Sequence, residues 1–299
     1  MVTSPADALS TAVDGVEVTG SISPSRAGDF LTCPLLYRFR SIDRLPEPTS
    51  TAAVRGTLVH KVLEQLFDLP SADRHVGRAS SMVEPAWRDL VAETPELADL
   101  FDVDADPEAF AAWMQESHDA LATYFTLEDP TRLEPSSREL YVETVLGSRL
   151  LVRGFIDRVD TAATGEIRIV DYKTGRAPKP GFEAKALFQL RIYGLVLWRT
   201  TGVVPARLQL IYLGSGDVVH YDPTEDDLAA TERKIEAIWQ AISTATESGQ
   251  WLPRRSALCR WCSFQSLCPE YGGTPPPLPE PISLAAPEHR SAARPAPRA

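Results

Sequence analysis

The chain has 299 residues, of which 24% are charged and 43% hydrophobic, and a formal net charge of −11. That length can bury a sizeable core in one large or two modest domains, and the composition is that of an ordinary globular protein. No apolar run approaches the roughly 20 residues needed to span a bilayer, and the opening MVTSPADALSTAVDG lacks the basic-then-apolar pattern of a secretory signal. The expected setting is cytoplasmic, without a membrane partner. Overall acidity argues against a polyanionic partner, but the charge is uneven: residues 61–145 hold 19 acids against 6 bases, a net of −13, so the remainder carries +2. A local basic groove containing Arg26, Arg38 and Arg55 stays open as a reading, and so does a plain solvated surface.

Residues 1–20 read as a disordered leader. Ser23, Pro24 and Ser25 open a helix over SRAGDFLTCPLLYRFR, broken near Pro34. After a loop at 45–53 comes the helix VRGTLVHKVLEQLF, whose Leu58, Val62 and Leu66 with Val59, Leu63 and Phe67 form a wide apolar stripe. Residues 81–127 read as a helical insertion of two or three helices. The texture then changes to ELYVETVL, RLLVRGFIDRVD and IRIVDYKTG, separated by turn residues, which predicts an antiparallel meander of three strands. A helix FEAKALFQLRIYGLVLWR, a strand ARLQLIYL, a turn GSGD and a long helix from about Asp226 to Ser248 follow. The tail from Gly272 holds 8 Pro in 28 residues and reads as a disordered extension. This order predicts an α/β core, a mixed sheet flanked by helices.

Within IVDYKTG, side chains alternate, so Ile169, Asp171 and Lys173 share one face. If the preceding turn pairs Asp160 with Glu166, Asp157 faces Ile169 and lies diagonal to Asp171, roughly 7 to 8 Å away. Two carboxylates at that separation suit a hard cation such as Mg²⁺ or Mn²⁺. The cation would polarise a phosphoryl oxygen and activate water, with Lys173 orienting or deprotonating that water; phosphodiester hydrolysis needs this set. Taken alone, Asp171 and Lys173 fit an ion pair at a strand end equally well.

GFIDRVD followed by IVDYKTG resembles the active-site hairpin of the RecB-like branch of the PD-(D/E)XK nuclease superfamily. In that branch a histidine from an upstream helix joins the metal ligands, and GTLVHKVLEQLF supplies His60. A glutamine and a tyrosine one turn apart follow the lysine, and FQLRIYGLVLW supplies Gln189 and Tyr193. The resemblance implies a metal site of His60, Asp157 and Asp171, with Lys173 assisting water and Gln189 and Tyr193 positioning Lys173 or the strand. Glu143 is similar in position to an accessory acid of the family. Judged singly, His60 also fits a partly buried structural histidine, and Gln189 with Tyr193 a solvated helix face. The resemblance covers about residues 21–270 and implies one restriction-endonuclease-like domain at 21–271, with its catalytic core at 139–213.

The four cysteines are Cys33 and the C-x2-C-x5-C set Cys259, Cys262 and Cys268. A cytoplasmic setting disfavours disulfides, and on geometry the set suits zinc or an iron-sulfur cluster equally. One cysteine before the nuclease core and three after it resembles the AddB-type subunits and CRISPR-associated RecB-like exonucleases. That resemblance implies a 4Fe-4S cluster stapling the first helix to residues 251–271, shielded by Tyr37, Trp261 and Phe264. The implied function is that of a Mg²⁺- or Mn²⁺-dependent DNA exonuclease acting on single-stranded ends in repair or recombination. The alternatives are a non-catalytic DNA-binding subunit of a helicase-nuclease complex and an iron-sulfur redox protein. No G-x-x-x-x-G-K-[ST] signature occurs, so unwinding would need a helicase partner.

Overall fold

In the computed structural model the described residues are 12–13, 16–101, 106–179, 183–279 and 284. Most of the expected leader, the tail beyond Pro279 except Leu284, and the acids Asp102 and Asp104 lie outside them. The fold is mixed α/β, and contacts divide it into two units: 1–46, 143–153 and 232–299 form the first, and 47–142 with 154–231 the second.

In the first unit, β1 (Gly20–Ile22) leads into α1 (Pro24–Thr32). Ser23 caps this helix, its hydroxyl accepting the Arg26 N–H at 3.4 Å, and Pro24 fills the first turn, where a missing N–H costs nothing. The expected break is present. A residue before proline is driven out of the helical region, and Cys33 is extended (φ −163°, ψ 119°) before Pro34 restarts a turn to Tyr37. The leader reading overran, because β1 starts at Gly20 and pairs in parallel with Leu150–Val152. Tyr37 stacks on Trp251 (5.8 Å) and Phe39 packs on Phe264 (5.2 Å).

The second unit is built on α2 (Thr51–Leu66), capped by Ser50. Its predicted stripe is buried: Leu58, Val59, Val62, Leu63 and Leu66 are at most 1% exposed. They pack with α3 (Val83–Glu93), α4 (Pro107–Leu127) and the inward side chains of the sheet, Val170, Tyr172 and Ile211. The strands are β2 (Ser137–Val145) and β3 (Leu150–Thr161), whose segments 143–145 and 150–153 belong to the first unit, with β4 (Ile167–Lys173), β5 (Arg207–Tyr212) and β6 (Asp217–Tyr221). β2 pairs with β3, β3 runs antiparallel to β4, β4 parallel to β5, and β5 antiparallel to β6. A parallel pair needs a crossover, and α5 (Ala184–Thr201) supplies it. The long helix α6 (Glu225–Ser248), which belongs to the first unit from residue 232 on, follows β6, the strand that the sequence reading passed over.

The hairpin register differs from expectation by two residues. Ala162 N–H bonds the Glu166 carbonyl and Gly165 takes the left-handed conformation (φ 99°), so Thr161 pairs with Ile167 and Asp160 with Arg168. A shift of two keeps every side chain on its face. Continued, this register sets Asp157 opposite Asp171 instead of diagonal to it.

On the other face of β3, the Arg158 guanidinium is 1% exposed and donates to Glu128 at 2.8 and 3.0 Å, to Asp160 at 3.1 Å and to the Tyr172 hydroxyl at 2.6 Å. Removing one member of such a buried network strands the others. Arg158→Ala should therefore lower unfolding stability by about 3 to 5 kcal/mol in urea titrations.

Candidate active site

β4 carries Asp171 and Lys173 on one face, and α5 brings Gln189 and Tyr193 to them. Asp171 is 2% exposed, and its Oδ2 lies 2.6 Å from the Lys173 ammonium. Gln189 joins both: Lys173 Nζ donates to its Oε1 (3.2 Å), while its Nε2 donates to Asp171 Oδ1 (3.0 Å). The same Nε2 meets the Tyr193 hydroxyl at 3.4 Å, one helical turn on. Tyr193 is buried, so this is not a solvated helix face. One amide thus fixes the separation of an acid and a base, since its carbonyl can only accept and its NH₂ only donate.

Beside this ring stand His60, Asp157 and Glu139. His60 Nε2 lies 2.9 Å from the Tyr172 carbonyl oxygen, which can only accept, so Nε2 carries the hydrogen. In the neutral ring this leaves the Nδ1 lone pair facing Asp157 Oδ2, 3.5 Å away. Metal-binding histidines are held in this way, one nitrogen tied to a carbonyl and the other bare. Asp157 Oδ2 also accepts the Tyr172 backbone N–H at 2.7 Å. One ligand atom each from His60, Glu139 and Asp157 fall within 4.8 Å of one another, a group able to hold a cation.

Glu139 is the residue that sequence reasoning missed. It sits on β2 four residues before Glu143, and strand alternation places both on one face. Among the described residues Glu139, not Glu143, joins the His60 and Asp157 group. Its backbone is at φ 43°, a region costly for a residue with a side chain and found at sites that over-determine it. Burial, and then the charges of Asp157, Glu64 and Asp171, push its carboxyl up to about 7. Asp157 is also pushed up, first by burial and then by Asp171, against the opposing pull of His60. Three carboxylates crowd one recess, and a divalent cation would relieve the repulsion.

Of the basic residues expected to meet DNA, Arg38 requires a correction. It is 6% exposed, bonded through Nε to Asp43 (3.0 Å) and through Nη2 to the Pro276 carbonyl, because the helix after Pro34 turns it inward. Arg55 is paired with Glu116, and Arg26 is half-buried.

The four cysteines are unbridged and half-buried within the first unit. Cys33 Sγ accepts the Arg254 N–H and Cys259 Sγ the Ser256 N–H, both at 3.3 Å. The Cys268 thiol is pushed up by burial and by the charges of Cys33, Cys262 and Cys259, so the four are electrostatic neighbours. Tyr37 and Phe264 are buried, but Trp261 is 65% exposed with Arg260 over its ring and shields nothing.

The model of the PD-(D/E)XK nuclease superfamily matches residues 21–269, and the chain belongs to that superfamily. The "Gene 69 protein" of Mycobacterium phage D29 is 26% identical over 270 residues, spanning 83% of this chain and 96% of the relative. Its namesake in Mycobacterium phage L5 is 23% identical over the same shares. The crystal structure of a "Putative exonuclease" from Eubacterium rectale matches 89% of this chain and 91% of its own with a TM-score of 0.51 at 16% identity, a likeness of fold.

Glu139 generates a pH test. Its carboxyl titrates near 7 in the fold against 4.5 in a free chain, so the fold binds this proton more tightly than the unfolded state does. Its contribution to stability is full below about 4.5 and is lost as pH rises through 7. With the carboxyl half-exposed and screened, that loss should be about 1 to 2 kcal/mol. Urea titrations in EDTA at acidic and mildly alkaline pH should show it, and Glu139→Gln should remove it.

Proposed function

We propose that the protein is a divalent-cation-dependent deoxyribonuclease of the RecB-like branch, acting as an exonuclease on single-stranded DNA ends. The observation that carries this reading is the ring of Asp171, Gln189 and Lys173 beside the ligand group of His60, Glu139 and Asp157. One nitrogen and several carboxylate oxygens, with no thiolate among them, suit Mg²⁺ or Mn²⁺. Such an ion supplies Lewis-acid polarisation of the phosphate and a more acidic water. Asp157, Asp171 and His60 would hold it, with Glu139 as the further acid in place of Glu143. Lys173 orients the attacking water or balances charge on the phosphate, while Gln189 holds its ammonium in line and Tyr193 steadies Gln189. Residues 21–271 act as one nuclease module, a reading supported by the family match over 21–269. The setting we propose is cytoplasmic, in DNA repair or recombination, with unwinding supplied by a helicase partner. No described helix is long and apolar enough to cross a membrane.

Purified protein should degrade labelled DNA in Mn²⁺ and stop in EDTA. Lys173→Ala should lower the rate by roughly 10² to 10⁴, the usual worth of a positioned proton-transfer group, and Asp171→Ala should also weaken Mn²⁺ binding in calorimetry. Cleavage by both variants at the wild-type rate, with unchanged circular dichroism, would overturn the assignment.

For the cysteines we propose a structural 4Fe-4S cluster held by Cys33, Cys259, Cys262 and Cys268. Four neighbouring thiols, two of them receiving backbone N–H bonds, form the donor set such clusters take. Zinc is the alternative tetrathiolate ion, and it is colourless. Protein prepared without oxygen should be brown with broad visible absorbance, and Cys33→Ala and Cys262→Ala should lose the colour equally. A colourless protein holding one zinc would reverse the choice.

A further inference from the structure

Two aromatic rings stand exposed on the strands that carry the metal-binding acids. Tyr141 of β2 is 37% exposed and Phe155 of β3 is 39% exposed, whereas their neighbours Val142 and Ile156 turn inward at 7% and 0%. The two rings lie 5.2 Å apart, tilted by 55°, as a cross-strand pair. Phe155 precedes Asp157 by two residues, and Tyr141 follows Glu139 by two. Two residues of strand advance about 7 Å along the same face. That distance is the scale of one step along an extended nucleic-acid strand. Rings exposed on the same strands as Glu139 and Asp157 offer apolar faces of the kind on which bases stack.

We propose that Tyr141 and Phe155 form a stacking platform for an unpaired nucleobase of the substrate strand, next to the phosphate that is cleaved. The proposal rests on the nuclease reading and adds to it the reason for a single-strand preference. In a duplex the base is already stacked on its neighbours, so only an unpaired base offers the rings a free π-face. Stacking also tolerates any sequence, because every base has such a face. The phosphate beside that base then falls towards Asp157 and Glu139, and the strand is positioned without any base being read.

The test separates platform from chemistry by measuring binding in EDTA, where cleavage does not intervene. The probes are a short fluorescein-labelled oligothymidylate and a base-free deoxyribose-phosphate oligomer of the same length. Tyr141→Leu and Phe155→Leu should each weaken oligothymidylate binding by roughly five- to thirtyfold, while binding of the base-free oligomer stays at the wild-type value. Tyr141→Phe and Phe155→Tyr, which keep the rings, should bind both probes as wild type does. A measurement on unaltered protein guards against misfolded variants: an oligomer carrying 5-iodouracil, irradiated in the complex, should leave its adduct on Tyr141 or Phe155 in peptide mapping. Leucine variants that bind oligothymidylate within twofold of wild type, an equal loss on the base-free oligomer, or adducts confined to other residues would each overturn the platform. Stacking and crosslinking as expected, with no cleavage in Mn²⁺, would establish the platform and refute the nuclease reading alone.

Discussion

A carboxylate held 2% exposed in a sheet must be answered by donors, and Asp171 sets that demand. The ammonium of Lys173 answers one oxygen and the amide of Gln189 the other, and the same amide reaches back to Lys173. The parallel pairing of β4 with β5 follows the crossover that sets α5 down where Gln189 can do this. At Gly214, just past β5, a Cβ would lie 2.7 Å from the Thr174 carbonyl oxygen. Only glycine lets the chain cross that close to the end of β4.

The two buried charge clusters divide the labour by face. Asp157, Asp171 and Glu139 leave negative charge in excess of the nearby cations, and Glu139 and Asp157 respond by holding protons more tightly. On the opposite face, Arg158 is surrounded by Glu128, Asp160 and the Tyr172 hydroxyl, and these partners keep it charged against the opposing effect of burial. One cluster is satisfied within the protein, and the other is a group able to hold a cation. That contrast separates the two clusters more firmly than the residue types do.

Much of this was legible in the sequence because it depends on parity and period. The stripe of α2, the break at Pro34, the three central strands and the shared face of Asp171 and Lys173 all follow from local rules. The register slip of two residues left the faces unharmed for the same reason. What escaped had weak local signals: β1 is three residues long, and β6 is an exposed strand whose DVVHY follows a turn directly. Glu139 and Glu143 are equivalent by alternation, so parity alone does not choose between them, and their places along β2 decide that Glu139 meets His60 and Asp157. Arg38 looked like surface charge because its partner Asp43 lies beyond a turn that composition does not specify.

Tyr172 stands between the acid and the base of β4, and all of its polar groups are engaged. Its N–H goes to Asp157, its carbonyl to His60, and its hydroxyl, on the far face, to Arg158. A single residue therefore ties the ligand cluster to the core, like a rivet passed through a plate. A strand pinned on both faces at one residue cannot slide by a fraction of its repeat, so the spacing of acid and base has no intermediate settings. Damage to the core would then undo that spacing outright before it could blur it.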